Sequence, residues 1–444
     1  MPLRNLAILF VASLVCIVCY HKARTNRYAS EIAQAIAITE ENYIKEVSGR
    51  QLFENAMDGM LKDLDPYSGY IRPEPMERFD EMMNQEKIGI GVMIDPEAAE
   101  NRLVILTPLP GSPAEQAGVL PGDEVVAVNG QSLTKLGSLD KAIEQLRGPE
   151  GSPVNVSIRR KDVAEPIELT MERYAFVLDS VTGDSRKPEG GWSFRLQGSP
   201  EIGYLRIDNF GEKTGDELNA ALAIYAEEPV DALIIDLRDN PGGLLNPAVD
   251  ACDAFVSGGT IVSTRGRDNE VRRVYSAEPA VRFPLDVPIV VLVNENSASA
   301  AEIFAACLQD HGRATVVGER TYGKGTVQTV IRMEGGKSAL KLTTASYWRP
   351  SEHNIHRFEE DGPEKEWGVM PDEGLLVPLT DEQRIARYRW RRRRDVAELV
   401  HVSPGTPSVD ESIAANDPQL AKAIEVAKDA KEKIRRKART VEAA

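Results

Sequence analysis

The chain has 444 residues, long enough for two to four domains with separate cores. Its composition is that of a globular protein, 42% hydrophobic and 27% charged. A formal net charge of −16 argues against a general nucleic-acid binder, which carries a basic footprint.

Leu6–Tyr20 (LAILFVASLVCIVCY) is apolar without a break. As a helix, its length of about 22 Å falls short of a hydrocarbon core of roughly 30 Å, as suits a signal-peptide core or a short signal anchor. No small-x-small cleavage site follows, so residues 1–27 are read as an uncleaved anchor and the membrane as a partner through this segment. Arg4 precedes the run and Lys22, Arg24 and Arg27 follow it, a charge bias that by itself would keep the body cytoplasmic. Of the four cysteines, Cys16 and Cys19 lie in this run. Cys252 and Cys307 read as buried free thiols, with a disulfide between them left open. No Cys/His spacing suits zinc, and no metal or cofactor is expected.

Residues 28–86 read as a helical N-terminal region. Phe53, Met57, Met60, Leu61 and Leu64 form its apolar stripe, which ends at the turn cluster Asp-Pro-Tyr-Ser-Gly (65–69). From Ile88 the period becomes that of strands: Ile88–Ile94, then 103–106, a turn with a short helix at 111–118, and a strand ending in the hairpin signal Asn129-Gly130. A helix near Ser138–Leu146 and a strand over Val154–Arg159 follow. This order resembles a PDZ domain, assigned to residues 87–175. The resemblance implies that the loop Gly89, Ile90, Gly91 and Val92 offers backbone N–H groups to the C-terminal carboxylate of a peptide, which adds as a strand. The plainer alternative is that these glycines only shape a turn.

Residues 200–350, within a core assigned to residues 176–380, alternate short buried strands (Ile202–Ile207, Ala232–Asp236, Ile289–Val293) with helices (Gly215–Tyr225, Ser299–Gln309), an α/β pattern that places ligands at strand ends. Residues 381–444 read as a charged, largely helical tail. Its basic run Arg387–Arg394 is read as a solvated face or an ion-pair surface between domains, ahead of a nucleic-acid or lipid contact. Val402–Pro418 reads as a linker, and Leu420, Ile424, Ala427 and Ile434 as a solvent-facing helix.

The chemistry centres on Ser299, in Asn-Ser-Ala-Ser-Ala-Ala-Glu, and Lys324, in Tyr-Gly-Lys-Gly-Thr-Val-Gln. None of the five histidines stands in a serine-hydrolase context, and a lysine can serve as base where burial disfavours its ammonium form. Gly242 and Gly243, after a buried strand, can turn N–H groups toward an oxyanion together with Ala300 at a helix start. Gly318–Gly325 only partly matches a phosphate-binding loop: Gly325 stands where a hydroxyl residue would hold magnesium, and a strand follows where a helix should.

These motifs, with Leu-Asp-Pro-Tyr-Ser (64–68), Leu-Arg-Asp-Asn-Pro-Gly-Gly (237–243), Leu-Thr-Thr-Ala-Ser-Tyr-Trp-Arg-Pro-Ser (342–351) and Gly-Val-Met-Pro-Asp (368–372), resemble the C-terminal processing peptidases over residues 35 to 375. The resemblance implies an α/β, crotonase-like serine protease core with a β-rich PDZ domain and a helical N-terminal region. It implies Ser299 as nucleophile, Lys324 as base and Gln328 as the residue orienting the lysine. Gly242 or Gly243, with Ala300, would form the oxyanion hole. Glu302 and Asp310 match acidic positions near the family's site, although an ordinary ion pair would explain them equally. A regulatory role for Arg147 is implied as well, beside the simpler reading of a surface ion pair. Substrates would be proteins bound through their C-termini, with the body extracytoplasmic (periplasmic), against the charge count. A homo-oligomer or an activating adaptor is left open. The rival function is a catalytically silent PDZ scaffold or envelope binding protein on the same fold.

Overall fold

The computed structural model describes residues 5, 10–16, 27–74, 76, 86–95, 102–109, 111–187, 190–358, 361–362, 364–395 and 413–442. Most of the Leu6–Tyr20 run, residues 77–85 of the expected N-terminal region and 402–412 of the expected linker lie outside the described residues. Among the described residues no helix is long and apolar enough to cross a membrane. The chain divides into two units, one of Met1–Met76 with Gln328–Thr343 and one of Glu77–Val327 with Thr344–Ala444.

In the first unit, helices Arg27–Asn42 and Gly49–Leu61 precede the short strand Gly69–Ile71, which pairs antiparallel with residues 339–341. Ser48 caps the second helix, its Oγ accepting from the Gln51 N–H at 3.1 Å. The expected apolar stripe is only partly covered: Leu61 is buried, whereas Met60 and Leu64 are exposed. Polar anchors supplement it. Glu334 accepts from Arg50, from the Tyr70 hydroxyl (2.8 Å) and from Ser338 (2.5 Å), which together hold its carboxyl down to about 2.

In the second unit, the expected strand Ile88–Ile94 is two strands. Glu86–Gly89 pairs with Tyr174–Val177, and Val92–Ile94 forms the edge of another sheet. That sheet continues through Leu103–Pro108, Glu124–Val128, Pro153–Arg159 and Ile167–Glu172 around a core that includes Leu103, Ile105, Val156 and Ile158. The helix Leu139–Leu146 starts at Ser138 and ends on buried Arg173, whose guanidinium takes the Gln145 and Leu146 carbonyls. Arg147, just beyond, is exposed, and among the described residues it has no ion pair.

The α/β part is built on the strands Ser199–Ile207, Ala232–Asp236, Ile289–Val293 and Ala314–Gly318, parallel and adjacent in that order. Side chains alternate between the faces of a sheet. Leu205, Leu233, Ile235, Val291 and Val316 therefore meet the helices Thr214–Glu227, Leu245–Asp253 and Ala300–Asp310 on one side. Tyr204, Ile234, Val290, Leu292 and Val317 face the other side, where Leu420, Ala423 and Ala427 of the helix Pro418–Glu442 cover them. This corrects the expectation of a solvent-facing tail: the helix closes the second layer of the core. Cys252 and Cys307 are buried free thiols, and the Cys252 thiol, pushed up by burial, hydrogen-bonds Cys307.

The arginine run lies on the helix Asp381–Asp395, with Trp390 and Arg391 buried. Arg384 pairs with Glu319 (2.7 Å), Arg387 with Asp239 (2.6 Å), Arg391 with Asp395 (3.2 Å) and Arg394 with Asp184. Arg392 reaches Asp95 (3.2 Å), just past the edge strand Val92–Ile94. Of the readings offered for this run, the ion-pair surface describes it.

Candidate active site

Three loops leave the carboxyl ends of three neighbouring parallel strands, the position at which α/β sheets place ligands. They are residues 237–243, 294–299 and 319–324, and they carry Gly242-Gly243, Ser299 and Lys324.

The first loop is anchored from below. Asp236 and Arg238 are both fully buried and bonded to each other at 2.6 and 2.9 Å, and the Tyr204 hydroxyl adds 2.7 Å to Asp236. Burial alone would raise the Asp236 carboxyl, but the arginine and the tyrosine take it below the ordinary range. Arg238 also holds Asp417 through two contacts of 2.8 Å and Gln419 at 3.1 Å. The segment preceding the last helix thus completes the support of the glycine loop. Asp239 then turns the chain at a φ of +62°, its carboxylate accepting from Asn294 (2.8 Å), Asn296 (3.0 Å) and Arg387.

The second loop is zipped to the first. The Asp239 N–H reaches Asn294 Oδ1 at 2.9 Å, Ser297 Oγ donates to the Leu237 carbonyl at 2.8 Å, and the Ala298 N–H donates to the Asn240 carbonyl at 2.9 Å. Ser299 sits at φ +56° and ψ −113°, a conformation rarely adopted outside glycine, at the start of the helix Ala300–Asp310. Gly242 is what lets the loops come this close. A methyl group on it would lie 2.8 Å from Ser299 Cβ and 2.7 Å from the Ala298 carbonyl, and its φ is +105°.

The two glycines are not equivalent. The Gly242 N–H donates to Asn240 Oδ1 at 2.8 Å, whereas among the described residues the N–H groups of Gly243 and Ala300 have no acceptor. The first N–H groups of a helix lack intrahelical partners, which accounts for Ala300.

Glu302 joins the third loop to the second. Its Oε2 accepts the N–H of Ser299 and the N–H of Lys324, each at 2.8 Å. Its Oε1 accepts the Thr321 hydroxyl at 2.6 Å and the Gly323 N–H at 2.7 Å. The carboxyl is fully buried, and burial pushes it up to about 7 against the pull of these four donors. The glycines flanking Lys324 fit a close backbone approach: a methyl on Gly325 would lie 2.2 Å from the His356 nitrogen, and one on Gly323 2.8 Å from Trp367 and from Arg357 Cβ. Thr321 is fixed in turn, its hydroxyl accepting the Val369 N–H at 2.7 Å.

The other expected residues fall elsewhere. Asp310 is ten residues along the helix from Ala300, about 15 Å away. It is held there by Arg349 at 2.9 and 3.1 Å and by the Ser351 N–H at 3.0 Å, so the ion-pair reading describes it. Gln328 belongs to the first unit, where its Nε2 donates to Thr343 Oγ1 at 3.3 Å. In the PDZ segment, the carbonyls of Ile90 and Gly91 accept from Ala114 and Leu109, while among the described residues their N–H groups have no acceptor. The Ile90 side chain is buried in the PDZ core, so the loop presents backbone rather than an apolar pocket wall.

Sequence reasoning missed Asn240, Asn294, Ser297, Thr321 and Asp417, which position the loops. One signal for Glu302 was legible: Ser299-Ala-Ala-Glu302 is the capping-box pattern, in which a glutamate at the third helical position reaches back to the N-cap N–H.

Comparison with known proteins gives matches along most of the chain. A model of peptidase family S41 matches residues 201–373, a PDZ-domain model residues 104–160, and a model of the N-terminal domain of the activating protease CtpB residues 20–74. The carboxy-terminal-processing protease of Bartonella bacilliformis is 37% identical over 345 residues, spanning 77% of this chain and 73% of that one. The carboxyl-terminal-processing protease of Synechocystis sp. is 35% identical over 344 residues, spanning 77% and 75%. Among solved structures, the photosystem II D1 C-terminal processing protease aligns at 26% identity and a TM-score of 0.45, covering 78% of this chain and 92% of that one.

Proposed function

The chain belongs to the carboxy-terminal-processing proteases of peptidase family S41, and from that premise we propose that it cleaves protein substrates near their C-termini with a serine–lysine dyad. Unprotonated Lys324 takes the hydroxyl proton of Ser299 as the serine oxygen attacks the scissile carbonyl. The N–H groups of Gly243 and Ala300 receive the oxyanion, a choice over Gly242 that rests on the commitment of the Gly242 N–H to Asn240. The lysine passes its proton to the leaving amine, then deprotonates the water that resolves the acyl-enzyme. Gln328 orients the lysine. The observation that carries this reading is the Glu302 carboxylate, which fixes the backbone of the nucleophile and that of the base on one buried group.

The PDZ domain captures the substrate's free carboxylate on the N–H groups of Ile90 and Gly91, and the substrate adds as a strand along the edge Val92–Ile94. Asp310 supports the nucleophile helix from its far end. The family resemblance favours an extracytoplasmic body, which a reporter fused to the C-terminus checks.

The test uses an unfolded substrate ending in apolar residues, offered with a free and with an amidated C-terminus to wild type, Ser299→Ala and Lys324→Ala. Cleavage by wild type alone, lost on amidation, is expected. Equal cleavage by all three proteins contradicts the dyad, and unchanged turnover of the amidated substrate contradicts carboxylate capture.

A further inference from the structure

The turn Asp65–Ser68 and the segment Gln328–Thr343, parts of two strands and the turn between them, lie together in the first unit, and a directed chain of hydrogen bonds runs through them. Gln328 Nε2 donates to Thr343 Oγ1 at 3.3 Å, and Thr343 Oγ1 donates to Asp65 Oδ1 at 3.1 Å. The turn holds its end of the chain firmly. Asp65 also accepts the N–H groups of Tyr67 (2.7 Å) and Ser68 (2.8 Å) and the Ser68 hydroxyl (2.7 Å), while Ser68 Oγ accepts the Thr343 N–H at 3.0 Å. Burial opposes ionisation of Asp65, but these donors hold its carboxyl below the ordinary range.

The direction of the chain follows from donor and acceptor inventory. An ionised carboxylate only accepts, so the single hydroxyl hydrogen of Thr343 goes to Asp65. The lone pairs of the same hydroxyl then require a donor, and Gln328 must meet them with its NH2 rather than its carbonyl. This fixes which of the two amide atoms meets the threonine, and with it the orientation of the carbonyl. The carbonyl is the end a lysine base needs: an amine N–H given to a carbonyl leaves the nitrogen lone pair for the serine proton. An NH2 group in its place would compete for that lone pair.

We propose that Asp65 and Thr343 are positioning residues for proteolysis, a relay that sets the orientation of the Gln328 amide; the proposal rests on the Ser299–Lys324–Gln328 reading above. On this proposal the Asp-Pro-Tyr-Ser turn sets the orientation of Gln328 as well as reversing the chain.

The test compares kcat and KM on the unfolded substrate for wild type, Thr343→Val, Thr343→Ser, Gln328→Ala and the Gln328→Ala/Thr343→Val double variant, with Ser299→Ala and Lys324→Ala alongside. Thr343→Val keeps the shape and the backbone bonds but removes the hydroxyl. It is expected to lower kcat by about 10-fold to 100-fold, the scale of a displaced catalytic group, with little change in KM. Thr343→Ser restores most of the rate. In the Gln328→Ala background, Thr343→Val costs nothing further, because the relay has nothing left to orient. Wild-type kcat in Thr343→Val beside an impaired Gln328→Ala overturns the proposal, as do additive losses in the double variant. So does Thr343→Ser as slow as Thr343→Val, which marks a packing role. Activity retained by Ser299→Ala or Lys324→Ala overturns the dyad beneath it, an outcome distinct from failure of the relay alone.

Discussion

Lys324 donates its backbone N–H to the buried carboxylate of Glu302 at 2.8 Å, and Glu302 rides on the helix that begins after Ser299. The backbones of Ser299 and Lys324, the proposed nucleophile and base, are therefore registered through one side chain. Glu302→Gln preserves the shape but turns an NH2 toward N–H donors that need an acceptor. Leaving such donors unsatisfied costs about 1–3 kcal/mol each. We expect a lowered unfolding midpoint and a kcat reduced by about 10-fold or more, since misplacement of about 1 Å is enough for that. Wild-type kcat in Glu302→Gln contradicts this account of the carboxylate.

The same residue has a signature in pH. Its folded pKa of about 7 stands above the ordinary 4.5, so between those values the folded state holds a proton that the unfolded chain has released. The stability it contributes is fully present below about 4.5 and is lost as pH rises to about 7. Denaturant unfolding at pH 5 and pH 8 should show wild type losing stability relative to Glu302→Gln across this interval. Parallel pH dependence in the two proteins refutes the assignment.

At Gly242 the expectation is steric. Alanine there would press its methyl to within 2.8 Å of Ser299 Cβ and 3.0 Å of the Ala300 nitrogen at a φ of +105°. Gly242→Ala should fold less stably and lose at least about 100-fold in kcat, the scale of a lost oxyanion donor. Near-normal turnover would show that the two loops separate at no cost.

The support under the glycine loop is equally testable. Arg238 is buried between Asp236 and Asp417, so Asp417→Ala leaves a dry guanidinium short of one partner. Breaking a buried pair in this way costs about 3–5 kcal/mol, measurable by denaturant unfolding. Because residues 239–243 follow directly, kcat should fall as well. A loss below about 1 kcal/mol would mean that the segment before the last helix is dispensable to the loop.

Much of this was legible in the chain and some was not, for identifiable reasons. The strands Ala232–Asp236 and Ile289–Val293 are continuous apolar runs, as strands covered on both faces must be, and Ser299 and Lys324 follow strand ends. The last helix was misread because its buried stripe uses Leu420, Ala423 and Ala427, and small alanines mark a covered face only weakly. Gly242 and Gly243 could not be told apart in sequence, since a side chain, Asn240, decides which N–H is taken. Asp310 was grouped with Glu302 by motif, yet the turns of helix between them carry it to the opposite end, beside Arg349. Two partners of Arg238, Asp417 and Gln419, stand 179 and 181 residues away, beyond the reach of any local pattern.

Activation of Ser299 by Lys324 is tested most directly by the rate at which a fluorophosphonate labels the protein, with the labelled peptide identified by mass spectrometry. A single label on Ser299 is predicted in wild type, slowed at least about 100-fold in Lys324→Ala, the range for loss of a general base. Labelling at another residue, or an unchanged rate at Ser299 in Lys324→Ala, would contradict the dyad.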